Sequence, residues 1–423
     1  MKKSFRTGKR ITAILLASLM LLPWNPRQIS AADQPNLPKA VTKMGFRYAE
    51  NLPAKKNAVY SPYGLSQALG LVTCGIPENT AAGANMLTLL GAKDLADLQQ
   101  QNKAYSEGAR FGTDNTFRSV NMLLVDKSVG GKEAVLPDYL TAVTDAYHAT
   151  VRTADFKHNL AAEKELIKQN VSTATGGFLS DYESIADEST DTDLMNITYF
   201  KGKWQYPFKT ELTKNKKFKN VSGKTKKVPM MHQVYEEKIR YYADKNFRGI
   251  ILPYSAKASE DGTIPSRVEM VIILPKKKTD LKCVKKWNQK SDSYRQRFLK
   301  KLTKAGTDNI TVLDLPRFEL DETVDLKDIF PALGAGDLLG SPSPVTNILK
   351  DPLLIDAASQ RTKIKVDEEG TEAAAVTEIT AKVTSIGPSK KLPRYTFKCN
   401  VPFVFMIRDE KGMTLFAGAV NKL

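Results

Sequence analysis

VDEEGTEAAAVTEITAKVTS, at residues 366–385, is the stretch from which the rest of the chain is best interpreted. Side chains of a strand alternate between its two faces. From Thr371 to Val383, every odd-numbered residue is small or apolar, while all charged residues after Gly370 are even-numbered. This alternation predicts a strand with one buried and one solvated face. The three consecutive alanines also favour a helix, so the composition indicates a segment that changes conformation.

The first 32 residues are organised like a secretory signal peptide. Basic residues, Lys2 and Arg10 among them, precede an apolar run at 11–22, and small residues follow at 30–32. The apolar run is about half as long as a membrane-spanning helix. We therefore expect cleavage before Asp33 and a secreted, extracellular protein that is free of the membrane. An uncleaved membrane anchor is the competing interpretation.

The chain is strongly basic, with a formal net charge of +17 over 423 residues. Six positive charges and no acidic residue lie in residues 1–32, which leaves about +11 on the remainder. Two clusters concentrate this charge, at 214–227 and 276–286. A polyanion such as heparin is one expected ligand and a simple solvated surface is the alternative; nothing indicates nucleic-acid binding. The lysines concerned are Lys216, Lys217, Lys224, Lys226, Lys227, Lys276, Lys277 and Lys278.

Residues suited to catalysis or metal binding are few. Cys74, Cys283 and Cys399 lack the spacing of a zinc site or a disulfide framework, so we expect buried thiols, with one disulfide left open. The sequence contains three histidines and no HExxH, P-loop or Rossmann motif. The segment at 64–68, GLSQA, approaches the nucleophile elbow GxSxG, but its serine should lie inside a helix. The sequence thus predicts a protein that is not an enzyme and needs no metal.

Local patterns predict helices mainly early in the chain and strands mainly late, which is an α+β arrangement. Ser61 followed by Pro62 is a strong helix start after a short strand at 58–60. The other predicted helices are 42–52, 80–91 and 136–150, and the other predicted strands are 116–125, 194–200, 268–274, 363–366, 394–400, 403–407 and 414–420. No linker divides residues 33–423, so we expect one domain.

Several segments, in order along the chain, resemble the serpin family of serine protease inhibitors. The segment VDEEGTEAAAVT at 366–377 is similar to the hinge of the serpin reactive loop. The resemblance extends to NAVYSPYGLSQAL at 57–69, LMNITYFKGKWQYPF at 194–208, VPMM at 228–231, LPRFELDETVDLKDIFPALG at 315–334 and PFVFMIRDEKGMTLFAGAV at 402–420. It covers essentially all of residues 33–423.

This resemblance implies one domain with three β-sheets, about nine helices and an exposed reactive loop at about 368–394. It also implies a suicide mechanism: a serine or cysteine protease cuts the loop, forms an acyl-enzyme, and is trapped when the loop inserts into the central sheet. The partner would be the target protease in a covalent complex, and we expect a monomer. The implied hinge consists of Glu368, Glu369, Gly370, Thr371, Glu372, Ala373, Ala374, Ala375, Val376 and Thr377.

Loop length in the family places the cleaved bond at Thr384-Ser385, which would suit an elastase-like or subtilisin-like protease. Cleavage after Lys382, before Val383, is the alternative and would suit a trypsin-like protease. The resemblance also assigns residues that gate the central sheet. They are Ser61, Asn196, Gln360 and Trp204, with Gly64 at a position where serine is common and Gln360 where histidine is common.

The sequence is also compatible with two other functions. A non-inhibitory serpin would act as a carrier, chaperone or storage protein, and its loop would be cut without trapping the protease. A polyanion-binding surface protein would use the two basic clusters. The composition of the hinge favours inhibition. A charge at any odd position from 371 to 383 would have to be buried on insertion, at a cost of several kcal/mol, and none of these positions carries a charge.

Overall fold

Two long strands, Thr192–Lys203 and Ala357–Val366, lie side by side in the middle of a six-stranded sheet. The structure is a computed structural model, and it describes residues 36–109, 111–129, 135–258, 262, 264–371 and 391–423. In these ranges the chain forms nine α-helices and sixteen strands. The helices are α1 (Leu37–Glu50), α2 (Pro62–Cys74), α3 (Ala81–Leu90), α4 (Leu95–Gly108), α5 (Pro137–Tyr147), α6 (Phe156–Ala174), α7 (Cys283–Asn288), α8 (Asp292–Thr303) and α9 (Phe330–Leu333).

The strands form three sheets, as expected. They are β1 (Ala58–Tyr60), β2 (Asn115–Asp126), β3 (Thr150–Ala154), β4 (Thr192–Lys203), β5 (Lys214–Lys219), β6 (Thr225–Glu236), β7 (Arg240–Ala243), β8 (Phe247–Pro253), β9 (Val268–Pro275), β10 (Ile310–Pro316), β11 (Phe318–Asp325), β12 (Ala357–Val366), β13 (Gly370–Thr371), β14 (Arg394–Lys398), β15 (Phe403–Asp409) and β16 (Thr414–Val420). The central sheet has the order β11-β12-β13-β4-β2-β3, the second sheet β1-β16-β15-β9-β8-β7, and the small sheet β14-β10-β6-β5.

The predicted helix starts and stops are largely confirmed, with two corrections. Helix α1 begins five residues before the predicted 42–52, because Asn36 accepts a hydrogen bond from the Lys39 amide and caps it there. Helix α5 ends at Tyr147 and not at 150, because His148 adopts a left-handed conformation and the chain then enters β3. Ser61 caps α2 as predicted, accepting from the Gly64 amide at 2.9 Å.

The central sheet has two differently covered faces. Its inner face, with Asn196, Thr198 and Phe200 of β4, packs towards α2 and the second sheet. Its outer face, with Met195 and Ile197, lies in one hydrophobic cluster with residues of α6. Helix α6 therefore covers the outside of the strands that frame the centre of the sheet.

Candidate functional site: the centre of the central sheet

The predicted hinge begins inside the central sheet. After β12 the chain turns at 367–369 and returns as β13, which pairs antiparallel with both β12 and β4. Asp367 stabilises the turn, since its Oδ1 accepts from the amides of Glu369 at 3.0 Å and Gly370 at 3.3 Å. At this end of the sheet β13 thus separates β4 from β12.

Beyond β13 the two framing strands pair directly with each other. β4 and β12 are parallel neighbours from Asp193 opposite Ala357 to Tyr199 opposite Lys363. The sheet is therefore open to a third strand only at the end where β13 lies. We call this direct pairing of residues 193–199 with 357–363 the seam. A further length of the hinge could enter the sheet only by separating the two strands of the seam.

Gly370 fits only because it has no side chain. A Cβ at this position would lie 1.9 Å from the Gly202 carbonyl oxygen and 2.8 Å from the Lys203 Cα, both of them backbone atoms. The two-glycine contact lets β13 approach β4 closely enough to pair. Any larger residue would push the hinge away from the sheet.

Glu368 fixes the turn before β13. Its carboxylate is buried and accepts hydrogen bonds from Arg317 Nε at 2.7 and 2.9 Å and from the Thr213 hydroxyl at 2.5 Å. Burial on its own would raise the pKa of this carboxyl, but the bonds from Arg317 and Thr213 outweigh it and hold the pKa below its usual range. The carboxylate therefore stays charged and joins the hinge to β11 through its neighbour Arg317.

Trp204 lies against the hinge and apart from the other predicted gate residues. Its indole Nε1 donates to the Asp367 carbonyl at 3.0 Å and its amide donates to the Glu369 carbonyl at 2.7 Å. The ring stacks on Tyr254, whose hydroxyl lies 2.7 Å from that of Thr371. Thr371 is fully buried, on the inner face to which the sequence alternation assigned it.

Ser61, Asn196 and Gln360 meet on the inner face, and we call these three residues the gate. Gln360 bridges the seam: its Oε1 accepts from the Ser61 amide at 2.9 Å, and its Nε2 donates to the Ser61 carbonyl at 3.0 Å and to Asn196 Oδ1 at 3.2 Å. All three side chains are buried. Since an amide does not titrate, these bonds do not change with pH.

Two further residues belong to this network and were not predicted. Asn196 Nδ2 donates to Asn121 Oδ1 at 2.8 Å and to the Ser119 hydroxyl at 3.1 Å, both on β2. The sequence contained a partial indication, since Asn121 directly precedes the apolar run at 122–125 of the predicted strand. A buried asparagine there needs a partner, but the sequence does not indicate which one.

The predicted cleavage site lies outside the described residues. This applies to Thr384 and Ser385, to the alternative pair Lys382 and Val383, and to the part of the hinge from Glu372 to Thr377. The described part of the hinge comprises Glu368, Glu369, Gly370 and Thr371.

The first basic cluster forms the β5–β6 hairpin. Lys217 is directly opposite Lys227, and Lys219 lies on the same face; all three are exposed, and none forms an ion pair with a described residue. Lys216 differs, because its ammonium binds Asp314 at 2.8 Å, alongside His232 at 2.7 Å. Lys224 and Lys226 are exposed in the same hairpin, and Lys276, Lys277 and Lys278 are exposed after β9.

Groups with catalytic or ligating potential are dispersed. Cys74, Cys283 and Cys399 are buried free thiols, and burial raises the pKa of Cys74 to about 11. Within the described ranges, no group of three or more His, Cys, Asp or Glu side chains is arranged to hold a metal. No helix of the described part has the length and apolar character to cross a bilayer.

Comparisons with known proteins agree with this architecture. A family model described as Serpin (serine protease inhibitor) matches residues 39–423. The leukocyte elastase inhibitor of Bos taurus is 30% identical over 406 residues, covering 93% of this chain and 99% of the relative. Iripin-2 of Ixodes ricinus is 28% identical over 425 residues, covering 98% and 99%. The solved structure of Arabidopsis AtSerpin1 in its native stressed conformation matches with a TM-score of 0.76 at 20% identity, covering 92% of this chain and 98% of that one. The chain belongs to the serpin family.

Proposed function

We propose that this protein is a suicide inhibitor of a serine protease, possessing a hinge that inserts between β4 and β12 after the loop is cut. The observation that carries the proposal is β13, two residues of hinge already paired with both framing strands. Below them the seam is held by the backbone pairing of β4 with β12 and by two side-chain contacts, from Gln360 to Asn196 and between the hydroxyls of Thr198 and Thr362. Insertion would extend an existing strand and would not need to create a new one.

The observed register extends to a definite inserted strand. Thr371 lies opposite Gly202 and Val366, so each later residue would lie one step further down both strands. Continued in this way, Thr377 would come between Asn196 and Gln360. Its hydroxyl would meet the two amides that now bond to each other and could take up the bonds lost when the seam opens. The odd-numbered hinge residues would all fall on the inner face.

A matched pair of hinge variants tests this mechanism. In Ala375→Arg the charge would face the inner side, between Thr198 and Thr362, at a cost on the order of several kcal/mol. In Ala374→Arg the charge would face the outer side. We expect the wild type and Ala374→Arg to form a protease complex that survives denaturant, whereas Ala375→Arg is cut as a substrate. If the wild type is digested by elastase-like, subtilisin-like and trypsin-like proteases without any complex, the protein is a non-inhibitory serpin.

For the target we propose an elastase-like or subtilisin-like protease, cutting at Thr384-Ser385. Support comes from the β-branched residue at that position and from a relative named leukocyte elastase inhibitor. Mass spectrometry of the C-terminal fragment released by each protease reads the cleaved bond. A fragment beginning at Ser385 is expected, and one beginning at Val383 would transfer the assignment to a trypsin-like protease.

A polyanion site on the β5–β6 hairpin is the second proposal, with heparin as the probe. It is supported by Lys217, Lys219 and Lys227 on one face, because like charges directly opposite each other repel and a bound polyanion would relieve this. Replacing these three by alanine should lower the salt concentration needed to elute the protein from heparin. Alanine at Lys276, Lys277 and Lys278 is the matched control; if it has the larger effect, the site lies on the second cluster.

We also propose that the protein is secreted as a monomer after removal of residues 1–32. The basic start, the short apolar run and the small residues at 30–32 support it. N-terminal sequencing of the protein from the culture medium should begin at Asp33. Retention of the full-length chain in the membrane fraction would support the uncleaved anchor.

A further inference from the structure

The segment at 178–184, between α6 and β4, contacts both strands of the seam on the outer face of the sheet, and we call it the strap. One part of the strap binds β12. Arg361 Nη2 donates to Asp181 at 2.9 Å, and the hydroxyls of Tyr182 and Ser359 lie 3.2 Å apart. Tyr182 and Ser359 are both buried. The strap is thus fixed to one of the two strands that frame the seam.

The other part of the strap binds β4. The ring of Phe178 packs on that of Tyr199, with centroids 4.1 Å apart, and the Ser184 hydroxyl donates to Asp193 Oδ2 at 2.5 Å. A strand inserted between β4 and β12 would double their spacing of about 4.8 Å. The strap cannot keep both sets of contacts across the doubled distance. Insertion therefore requires the strap to release at least one of the two strands.

Asp193 is a buried carboxyl whose surroundings supply one hydrogen bond. Its neighbours in the sheet are Leu124 of β2 and Ala357 of β12, whose side chains are apolar. Ser184 binds one carboxyl oxygen, Oδ2, while Oδ1 is buried without a hydrogen-bond partner among the described residues. An ionised carboxylate is poorly solvated in this place, whereas a protonated carboxyl has no charge to be solvated.

The strap and the charge of this carboxyl are coupled. Burial raises the pKa of Asp193 to about 6, although the hydrogen bond from Ser184 and the positive charge of Lys164 on α6 both lower it. Lifting of the strap would expose the carboxyl to water, where the pKa of an aspartate is about 4. The closed strap thus takes up a proton near pH 6 that the lifted strap does not. As the pH falls from 7 to 5, the equilibrium constant for closing should increase roughly 10-fold.

Most of the ionisable groups around Asp193 keep their charge over this pH range. On the strap, the hydrogen bond from Arg361 of β12 lowers the pKa of Asp181, and burial raises the pKa of Tyr182. On β2, burial alone would raise the pKa of Asp126, but its hydrogen bonds hold that pKa below its usual range. Histidines titrate between pH 5 and 8, and α6 carries one exposed histidine at position 158. That histidine therefore needs a control.

We propose that Asp193 is a positioning residue that makes the strap a pH-dependent latch on the seam. Its protonated carboxyl holds the strap in place, and its ionised carboxylate favours release. Loop insertion is therefore slower at pH 5 than at pH 7. This effect on insertion rests on the function proposed above, whereas the latch is a property of the intact protein alone.

Hydrogen exchange at the Ala186 amide tests the latch, because this amide donates to the same Ser184 hydroxyl that binds Asp193. The quantity compared is the protection factor, in which the intrinsic rate of exchange at each pH is divided out. In the intact mature protein we expect at least 3-fold higher protection at pH 5 than at pH 7. In Asp193→Asn the protection should be equal at the two pH values and, at pH 7, no lower than in the wild type.

Asp181→Asn and His158→Gln are the matched controls. Asp181→Asn removes a strap carboxyl that stays ionised, so protection should fall at both pH values while the ratio between them remains. His158→Gln should leave the ratio unchanged. In case Asp193→Asn does not fold, Lys164→Gln on the surface of α6 should move the midpoint of the pH profile upwards. A wild-type ratio below 3-fold, a ratio that persists in Asp193→Asn, or an unshifted midpoint in Lys164→Gln overturns the latch.

A peptide of the hinge tests the coupling to insertion without a protease. The peptide comprises residues 372–384 with blocked ends, and it carries Glu372→Gln and Glu378→Gln so that it contains no carboxyl group. Its incorporation into the intact protein, followed by the increase in Tm, should be at least 3-fold faster at pH 7 than at pH 5, and equally fast at both in Asp193→Asn. Equal rates in the wild type overturn the coupling. Failure to incorporate at either pH instead contradicts the insertion mechanism, and the latch is then judged by hydrogen exchange.

Discussion

At the scale of single residues, the two departures from the family pattern in the gate occupy one site. Asn196 Oδ1 lies where a side chain at position 64 would be, since a Cβ on Gly64 would come within 2.0 Å of it. The same oxygen accepts from Gln360. A glycine at 64 therefore leaves room for the asparagine amide to meet the glutamine. The resemblance presents Gly64 and Gln360 as separate differences, whereas the packing makes them one arrangement.

Replacing Gln360 by histidine should give the gate a pH dependence that it now lacks. Neutral histidine can accept from the Ser61 amide, but the protonated ring cannot. Burial lowers the folded-state pKa of such a histidine below its unfolded value of about 6.5. Its stabilising bonds are therefore intact above that value and are lost as the pH falls through the folded-state pKa. Thermal unfolding of Gln360→His between pH 8 and 5 should diverge from wild type towards acid, whereas Gln360→Asn should stay parallel.

Arg317 should hold the hinge in place through Glu368. In Arg317→Ala the buried carboxylate of Glu368 loses its cation. We expect the docked hinge to lose about 1–3 kcal/mol of stability, less than for a fully buried pair, because Arg317 is partly exposed. The Trp204 and Phe208 amides donate to the hinge carbonyls of Glu369 and Glu368, so their hydrogen exchange reports on docking. We expect faster exchange at both amides in Arg317→Ala.

The pH dependence of this exchange has a definite sign. The pKa of Glu368 is lowered in the folded protein. Its contribution to the stability of the docked hinge is therefore fully present above the pKa of the unfolded state, and it is lost as the pH falls through the pKa of the folded state. Docking of the hinge should therefore weaken below about pH 4 in the wild type.

The control for Arg317→Ala is Arg267→Ala, which removes a surface ion pair with Glu410. Equal exchange in the two variants would show that Arg317 does not secure the hinge.

At the scale of elements, the sequence predicts what is local and misses what joins distant segments. The cap at Ser61, the stop at Gly91 and the strand at 414–420 follow from patterns within a few residues, and the structure confirms them. Arg317 and Glu368 are 51 residues apart, and no local pattern pairs them. Trp204 is placed by hydrogen bonds to a turn more than 160 residues later, so its position beside the hinge could not be inferred from its own surroundings.

Helix α6 should make one charged hinge residue costly to insert. In the extended register Glu378 would lie opposite Met195 and Ser359, both buried, on the outer face that α6 covers. The nearby Arg361 is already paired with Asp181 and Asp321. Glu378→Gln should therefore lower the number of inhibitor molecules consumed per protease at pH 7–8, with a smaller effect near pH 5, because burial raises the pKa of the inserted carboxyl.

Glu372 provides the matched control for this prediction. In the same register it would lie opposite Lys201 and Lys365, so Glu372→Gln removes an attraction and should raise the number of inhibitor molecules consumed. Opposite signs for the two glutamine variants would support the register. Equal effects would mean that the loop inserts in another register or that α6 moves away entirely.

At the scale of the whole molecule, insertion of the hinge would exchange the closed seam for a sheet with more backbone hydrogen bonds. β4 and β12 now meet as one parallel pair, and insertion would replace it with two antiparallel pairs along the same strands. About ten added hydrogen bonds at a net ~1 kcal/mol each give on the order of 10 kcal/mol. The intact protein would remain in the state of higher free energy until the loop is cut.

Cleavage in the loop should therefore stabilise the protein strongly. A gain of that size corresponds to an increase of roughly 20 °C in Tm, at about 2 °C per kcal/mol for a large domain. Thermal unfolding followed by circular dichroism, before and after cutting with a protease that is then removed, measures it. Ala375→Arg, cut at the same bond, should show no comparable rise, because its charge would have to enter the inner face. A cut wild type that unfolds at the temperature of the intact protein would mean that the paired residues of β13 are the full extent of insertion.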